Sequence, residues 1–363
     1  MISIENKVMR MLGIQSPIFA FSHSVAVTVA VTNAGGFAVL GVARDAPEEI
    51  RKYIQEVRSQ VGTKKFGVDL MFPKLADEDS TLEKVQANLP AGHKDFVEHL
   101  REKYQVPVAT QTTFFTSTVR SKKLFEEQLN AVLESDVDAV ATAVGIPREV
   151  MNAIKARGKI AMSLIGSPKH AMKALNAGVD ILVAQGTEAG GHTGDISTMV
   201  LVPQIVEMAR DVPVLAAGGI GHGSQIAAAL ALGAQGVWLG TAWLTTKEHQ
   251  LAEGIVAKLL AANSDDTVIS RSHSGKPCRL LKSGWTEEWS APNAPTPLGM
   301  PLQQALTGNL LAGIEEHQVD ALLYSPAGQS VAWSKKVEPV SEVMARLNRE
   351  MSSALNRLSR QDI

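Results

Sequence analysis

The chain has 363 residues, with 35 Lys and Arg against 37 Asp and Glu, a formal net charge of -2 and a hydrophobic fraction of 45%. That length suits one large α/β barrel or two ordinary domains, and a near-neutral balance without a basic tract excludes the electrostatic footprint of a nucleic-acid binder. Cys278 is the only cysteine, so neither an internal disulfide nor a thiolate metal cluster can be built within one chain.

The N-terminal MISIENKVMRML lacks the long apolar core and small-residue cleavage site of a signal peptide. Val25 to Val31 is too short to span a bilayer and is interrupted by Thr28. The expectation is a cytoplasmic protein. Residues 17–20 read as a buried strand that ends at Phe21, Ser22 and His23. The run SVAVTVAVTNAGG is β-branched and favours strand by propensity, yet its length and its glycine ending favour a helix. The helix is preferred because a strand, Phe37 to Leu40, follows at once. Pro47, with acidic neighbours, opens the next helix. Lys65 to Leu70 is the third strand, with Asp69 near its C-terminal end.

Residues 71–106 break the rhythm. They are polar, too long for a simple βα loop, and read as short surface helices forming an excursion or lid. VPVAT at 106–110 is an extra strand candidate, followed by a helix from about Thr118. Alternation then resumes, with strands at 137–143, 159–165, 179–184, 212–216 and 235–239, and helices at 147–157, 168–177, 198–210 and 224–232. Strands alternating with helices build a parallel sheet. With 106–110 set aside, eight strands remain to close an α/β, TIM-type (β/α)8 barrel over residues 1–246. Residues 247–363 read as a smaller, mostly helical and loop-rich second domain or extension at the barrel mouth, with helices near 247–262, 301–313 and 337–358; the last of these has the option of returning to the barrel. Trp285 and Trp289 are expected to be buried there, against the chain's own barrel or in a homodimer contact.

Function in such barrels gathers at the C-terminal ends of the strands. The turn Gly218-Gly219-Ile220-Gly221 follows one strand and precedes the helix from Ser224, and Gly240-Thr241 follows the next strand. Glycines allow close backbone approach, and a helix N-terminus offers N–H groups to phosphate. Either these turns bind a mononucleotide or sugar phosphate, or they only let strand and helix pack. His192, in the glycine-rich GTEAGGHTG, is placed for acid/base or orienting work near neutral pH, or else caps its own loop. Glu188 either braces that loop or His192 or lies at the surface, and Asp195 has the same options or caps the next helix. A metal site of His192, His222 and Asp69 lacks ligand spacing. Cys278 reads as a buried thiol. His249 reads as a surface residue, and the cations Lys276, Arg279 and Lys282 either touch a ligand or a partner or serve in surface and salt-bridge roles.

The segments NAGGF at 33–37, FGVD at 66–69, AQGTEAGGHTG at 184–194, VLAAGGI at 214–220 and GVWLGTAWL at 236–244 resemble the nitronate monooxygenase, or 2-nitropropane dioxygenase, family over most of the chain. The resemblance implies a TIM-type barrel with a smaller helical domain, non-covalent FMN and no metal. It implies a phosphate site at Ala217, Gly218, Gly219, Gly240 and Thr241. Gln185, Gly186 and Gly191 would lie near the ring system, with Phe21, Ser22 and Asp69 on the same face and His192 as the active-site histidine. The implied reaction is oxidation of small alkyl nitronates, or nitroalkanes, by dioxygen to carbonyl compounds and nitrite. The chain departs from the family in having Asp69 where many members have asparagine, and AFS at 20–22 where APM is usual. An ionised carboxylate there disfavours an anionic reduced flavin and repels an anionic substrate. The alternatives are an NAD(P)H-dependent FMN reductase of quinones or enoyl thioesters, a flavin-free phosphate-ligand isomerase or lyase, and a binding protein without catalysis.

Overall fold

A computed structural model describes residues 5–71, 81–118, 121–143 and 147–360. Residues 72–80 of the excursion, and 119–120 of the segment after it, lie outside the described residues. Eight parallel strands close a barrel: β1 (Ile18–Ser22), β2 (Phe37–Gly41), β3 (Gly67–Met71), β4 (Ala139–Ala143), β5 (Ile160–Ile165), β6 (Ile181–Gln185), β8 (Val214–Ala217) and β9 (Gly236–Leu239). β7 is the two-residue strand Gly191–His192, outside the barrel. The TIM-type α/β fold is thus observed.

Side chains alternate across a strand, and here that parity sorts the apolar residues into separate cores. Phe19, Phe37, Val39, Ala139, Met162, Ile181, Val183 and Leu215 point inward and fill the barrel. The residues between them, such as Ile18, Ala38, Leu182, Val214 and Val237, point outward to the helices. The bottom of the barrel is plugged by the N-terminal helix Lys7–Leu12, whose Val8, Met9 and Leu12 join the inner cluster. Following the same parity to the C-terminal ends puts Phe21, Asp69, Gln185, Ala217 and Trp238 on the floor of the mouth.

The ambiguous run after β1 is the helix Val25–Asn33, begun by Ser24, whose hydroxyl accepts from Val27 N–H. Its valines bury against the barrel on several sides, and that packing overrides their strand propensity. The helix Pro47–Val61 buries Ile50, Ile54, Val57 and Val61 along one stripe, each side chain contributing about 1.5–3 kcal/mol by leaving water.

Residues 106–110 form no strand. Pro107 lacks the N–H a ladder needs, and its carbonyl lies so close to Gly313 that a Cβ there would come within 2.3 Å. The segment instead passes over the helix Leu302–Glu316. The excursion helix Ala91–Lys103 packs there too. Leu89, Val97 and Leu100 share one apolar cluster with Trp285, Trp289, Leu306, Leu310 and Ile314. Trp285 is fully buried, as expected, and its indole N–H donates to Ser272 Oγ at 3.0 Å.

The region read as loops between 262 and 301 contains two strands, β10 (Thr267–Ser270) and β11 (Cys278–Leu281). With β7 they form a small antiparallel sheet in the order β10-β11-β7. The final helix, Val340–Arg360, buries Val340, Val343, Met344, Leu347 and Met351 against the barrel's outer helices. It crosses the helix Gly223–Ala231 closely enough that a Cβ on Gly223 would lie 2.3 Å from Met351 N.

Candidate active site

A cavity of about 1440 Å³ opens over the C-terminal ends of the strands. Ligand pockets usually hold roughly 300–1,000 Å³, so this one has room for a cofactor and a substrate together. Of the residues singled out in the sequence, Phe21, Ser22, Asp69, Gln185, Gly191, His192, Ala217, Gly218, Gly219, Gly240 and Thr241 all line it. Gly186 does not, which corrects its expected place beside a ring system. It sits behind the wall, donating its N–H to Ala217 O at 2.9 Å. A Cβ on it would lie 2.1 Å from Thr198 Oγ1.

His192 stands on β7, directly opposite Cys278 on β11. Its Nε2 lies 2.7 Å from Ser274 Oγ, and Gln185 Nε2 donates to its carbonyl at 2.7 Å. Ring and backbone are therefore both fixed, from β6 on one side and from the 270s on the other. Cys278 is buried, and burial pushes its thiol up to about 12, so it stays protonated. A protonated thiol is a poor nucleophile.

Glu188 braces the helix Thr198–Ala209 and not His192. Its carboxylate accepts from Thr198 N–H at 2.9 Å and from Thr198 Oγ1 at 2.9 Å. Negative charge at a helix N-terminus is stabilising. Asp195 is exposed and does not cap that helix. Arg279 is buried, donating from Nε to Thr187 O (2.9 Å) and from Nη1 to Thr267 Oγ1 (3.1 Å). It ties the His192 loop to β10 and is no surface cation.

The glycine turn after β8 has both Gly218 and Gly219 in the left-handed region, at φ 104 and 70. Among the described residues, no acceptor meets the N–H groups of Gly219 and Ile220. The helix beyond the turn was expected to offer free N–H groups, and it does not. Gln225 Oε1 accepts from Gly221 and His222, Glu350 from Gly223, and His222 Nδ1 from Ser224. The donors left for an anion belong to the turn. Beside it, a Cβ on Gly240 would meet nothing within 4 Å. Thr241 Oγ1 is already engaged, accepting from Gly328 N–H at 2.9 Å. Across the floor, Phe21 and Trp238 stack at 6.0 Å, an apolar surface suited to a planar ring. The lining thus fits a flat heteroaromatic group carrying a phosphate.

His222 is not on the cavity lining; it lies 3.4 Å from Glu350 and against Trp333, with ring centroids 4.7 Å apart and the planes tilted by 37°. Other residues enter the site that sequence patterns left out or, for Lys276, left open. His23 is exposed to the cavity, although protein crowds closely around it. That crowding, with Arg44 nearby, holds its pKa down to about 4, although Nδ1 bonds Gly41 O at 2.8 Å. His249, expected at the surface, is half-buried in the lining, and burial lowers its pKa. Asp45, raised to about 6 by burial and by Glu49, lies at the rim. Tyr324 and Lys276 complete the wall near His192. Apart from His23, which directly follows β1, these residues come from loops and the late region, where no periodicity announces an inward face.

The family profile described as nitronate monooxygenase matches residues 6–350. The chain belongs to the nitronate monooxygenase family. It is accordingly an enzyme, a flavin-dependent oxidoreductase. Among relatives, Rv1533 of Mycobacterium tuberculosis (strain ATCC 25618 / H37Rv) is 42% identical over 314 residues, covering 84% of each chain. A protein of Staphylococcus aureus (strain Newman) named probable nitronate monooxygenase is 28% identical over 367 residues, 97% of this chain and 98% of that one. The solved nitroalkane oxidase from Streptomyces ansochromogenes superposes with a TM-score of 0.81 at 26% identity, covering 97% of this chain and 100% of its own. FabK from Thermotoga maritima, at 24% identity and a TM-score of 0.74 over 98% of this chain and 99% of that one, shares the fold. Among the described residues, no helix is long and apolar enough to cross a membrane.

Proposed function

We propose that the protein binds FMN non-covalently and oxidises small alkyl nitronates with dioxygen to carbonyl compounds and nitrite. The observation that carries this reading is His192, fixed by Ser274 and Gln185 on a wall of the cavity whose floor offers an apolar ring surface and a glycine turn with free N–H groups. In this reading Gly218, Gly219 and Gly240 hold the FMN phosphate, and Gly219 and Ile220 supply N–H donors. Ala217, Gln185, Gly191, Phe21 and Ser22 border the ring. When bound, FMN supplies the electron acceptance and the reaction with dioxygen that no side chain provides. His192 orients the nitronate oxygens with its imidazole, or takes the α-proton when a neutral nitroalkane enters. Leu323 and Leu311 add apolar surface to the lining, suited to a small alkyl chain. We further propose a cytoplasmic location, in keeping with the single, buried thiol Cys278.

The test is an absorbance spectrum followed by anaerobic additions. A flavin spectrum bleached by an alkyl nitronate, and not by NADH or NADPH, is the expected result. Bleaching by a nicotinamide alone would move the assignment to a reductase of quinones or enoyl thioesters. Absence of flavin after reconstitution with FMN would leave a phosphate-binding barrel.

A further inference from the structure

Burial depresses the ammonium pKa of Lys159 and of Lys276, and the protein treats the two differently. Lys159 donates to the carbonyls of Ser135 (2.6 Å) and Val137 (2.9 Å), and Asp138 and Asp136 stand near it. Lys276 lines the cavity, and among the described residues no carbonyl, hydroxyl or carboxylate accepts from its Nζ. With no protein acceptor among the described residues, its Nζ is open to the cavity and available to a partner from outside the chain.

The backbone fixes where that partner would sit. β11 runs antiparallel to β7, with Cys278 opposite His192 and Thr193 N–H reaching Pro277 O at 3.4 Å. The same register brings Lys276 opposite Gly194. Gly194 in turn lies against Gly166 after β5, where a Cβ on Gly166 would be 3.5 Å from it. Lys276 therefore belongs to the β5–β6 side of the mouth, whereas the glycine turns follow β8 and β9. Its N–H also approaches Ser274 Oγ (3.4 Å), the hydroxyl that holds His192. Elsewhere the lining carries the carboxylates Asp45, Glu56, Asp69 and Glu315, and its other basic side chains of fixed charge, Arg44 and Lys173, are exposed. An anion entering next to His192 meets Lys276 as the enclosed cation, with the exposed Arg44 adding favourable charge and the carboxylates opposing it.

We propose that Lys276 is the substrate's anion anchor, binding an oxyanion of the substrate within reach of His192. This rests on the oxidation of nitronates proposed above. The oxyanion comes either from the nitronate group itself or from a carboxylate elsewhere on the substrate. The experiment uses the FMN-loaded enzyme, Lys276→Met and Lys276→Arg. Butyrate and butyramide are the binding probes, followed by ligand-observed NMR, which needs no turnover. Butyrate should bind the wild type, and its Kd should rise by about tenfold or more in Lys276→Met, as expected for losing one charge-assisted hydrogen bond. Lys276→Arg should recover most of that loss, and butyramide should not respond. A rise in KM of Lys276→Met for a plain alkyl nitronate would identify the nitronate as the source. A rise only for a nitronate with a terminal carboxylate would identify the carboxylate. Equal butyrate binding by wild type and Lys276→Met, at equal flavin content, or no butyrate binding by the wild type, overturns the anchor. Either result leaves the flavin assignment standing, because that depends on anaerobic bleaching.

Discussion

His192 and His23 show how differently one residue type is used within a single cavity. His192 is positioned by hydrogen bonds at both its ring and its carbonyl. Removing it in His192→Ala should lower kcat/KM by about 10²–10⁴-fold, the usual worth of a positioned acid or base, with flavin content unchanged. Steady-state rates with a nitronate and a flavin count per protein decide this. Ser274→Ala removes the bond to Nε2 and should cost up to about tenfold in kcat. Because the hydroxyl acts on the ring's proton balance, the pH profile of kcat/KM should move as well. A fall in kcat with an unmoved profile would reduce Ser274 to a packing role. His23, by contrast, is kept neutral, with its pKa near 4 in the fold against about 6.5 in an unfolded chain. Between those values the unfolded chain binds the additional proton, so stability rises with pH through that window. The contribution is complete above pH 6.5 and is lost as pH falls towards 4. Melting of His23→Phe should depend less steeply on pH across that range, and an unchanged slope would mean that solvent in the cavity screens the shift of this exposed histidine.

At the scale of elements, the legible parts were those that repeat. Eight apolar runs separated by amphipathic helices read as a barrel, and strand parity alone would have turned Asp69, Gln185 and Trp238 into the cavity. The helix Val25–Asn33 was recoverable only from its ending and its neighbours, since valine speaks for strand. The sheet β10-β11-β7 was not recoverable. Its strands are short, lie far apart in sequence and lack a tight hairpin turn, and β7 has just two residues. That sheet is what carries Ser274 and Lys276 to His192, so half of the site was hidden with it. The glycine turns were legible as lining of the cavity, but the free donors expected of the helix behind them are not there. The helix behind them is capped by Gln225, Glu350 and His222, leaving the turn's own N–H groups as donors. Gly240→Leu isolates this element. Its backbone at φ -116 accepts a side chain and its Cβ meets open space, so the fold should change by no more than about 0.5 kcal/mol. The same side chain would intrude on a phosphate held there. The apoprotein should melt like wild type while FMN retention falls sharply, and undiminished FMN content would remove Gly240 from the phosphate site.

The whole molecule is closed by two seams that join late sequence to early. One is the apolar cluster shared by the excursion helix Ala91–Lys103, the tryptophan pair and the helix Leu302–Glu316. Through it, the described part of the insertion after β3 is packed onto the helix Leu302–Glu316, whose Gln304, Leu311 and Ile314 line the cavity. The other is the crossing of the final helix over Gly223–Ala231, where Glu350 accepts from Gly223 N–H at 2.8 Å and pairs with His222. A Cβ on Gly223 would meet the backbone nitrogen of Met351 at 2.3 Å, and no rotamer change relieves a backbone clash. Gly223→Val must therefore push the final helix outward, at an overpacking cost of about 1–3 kcal/mol. Gly92 is the contrasting case, a helical glycine whose added Cβ meets nothing within 4 Å. Gly92→Ala should stabilise by up to about 1 kcal/mol, by reducing the freedom of the unfolded chain. Urea denaturation of the two variants compares them directly. Opposite shifts of the midpoint are expected, and a Gly223→Val midpoint at the wild-type value would mean that the final helix can move away without loss, so that this seam does not secure the barrel.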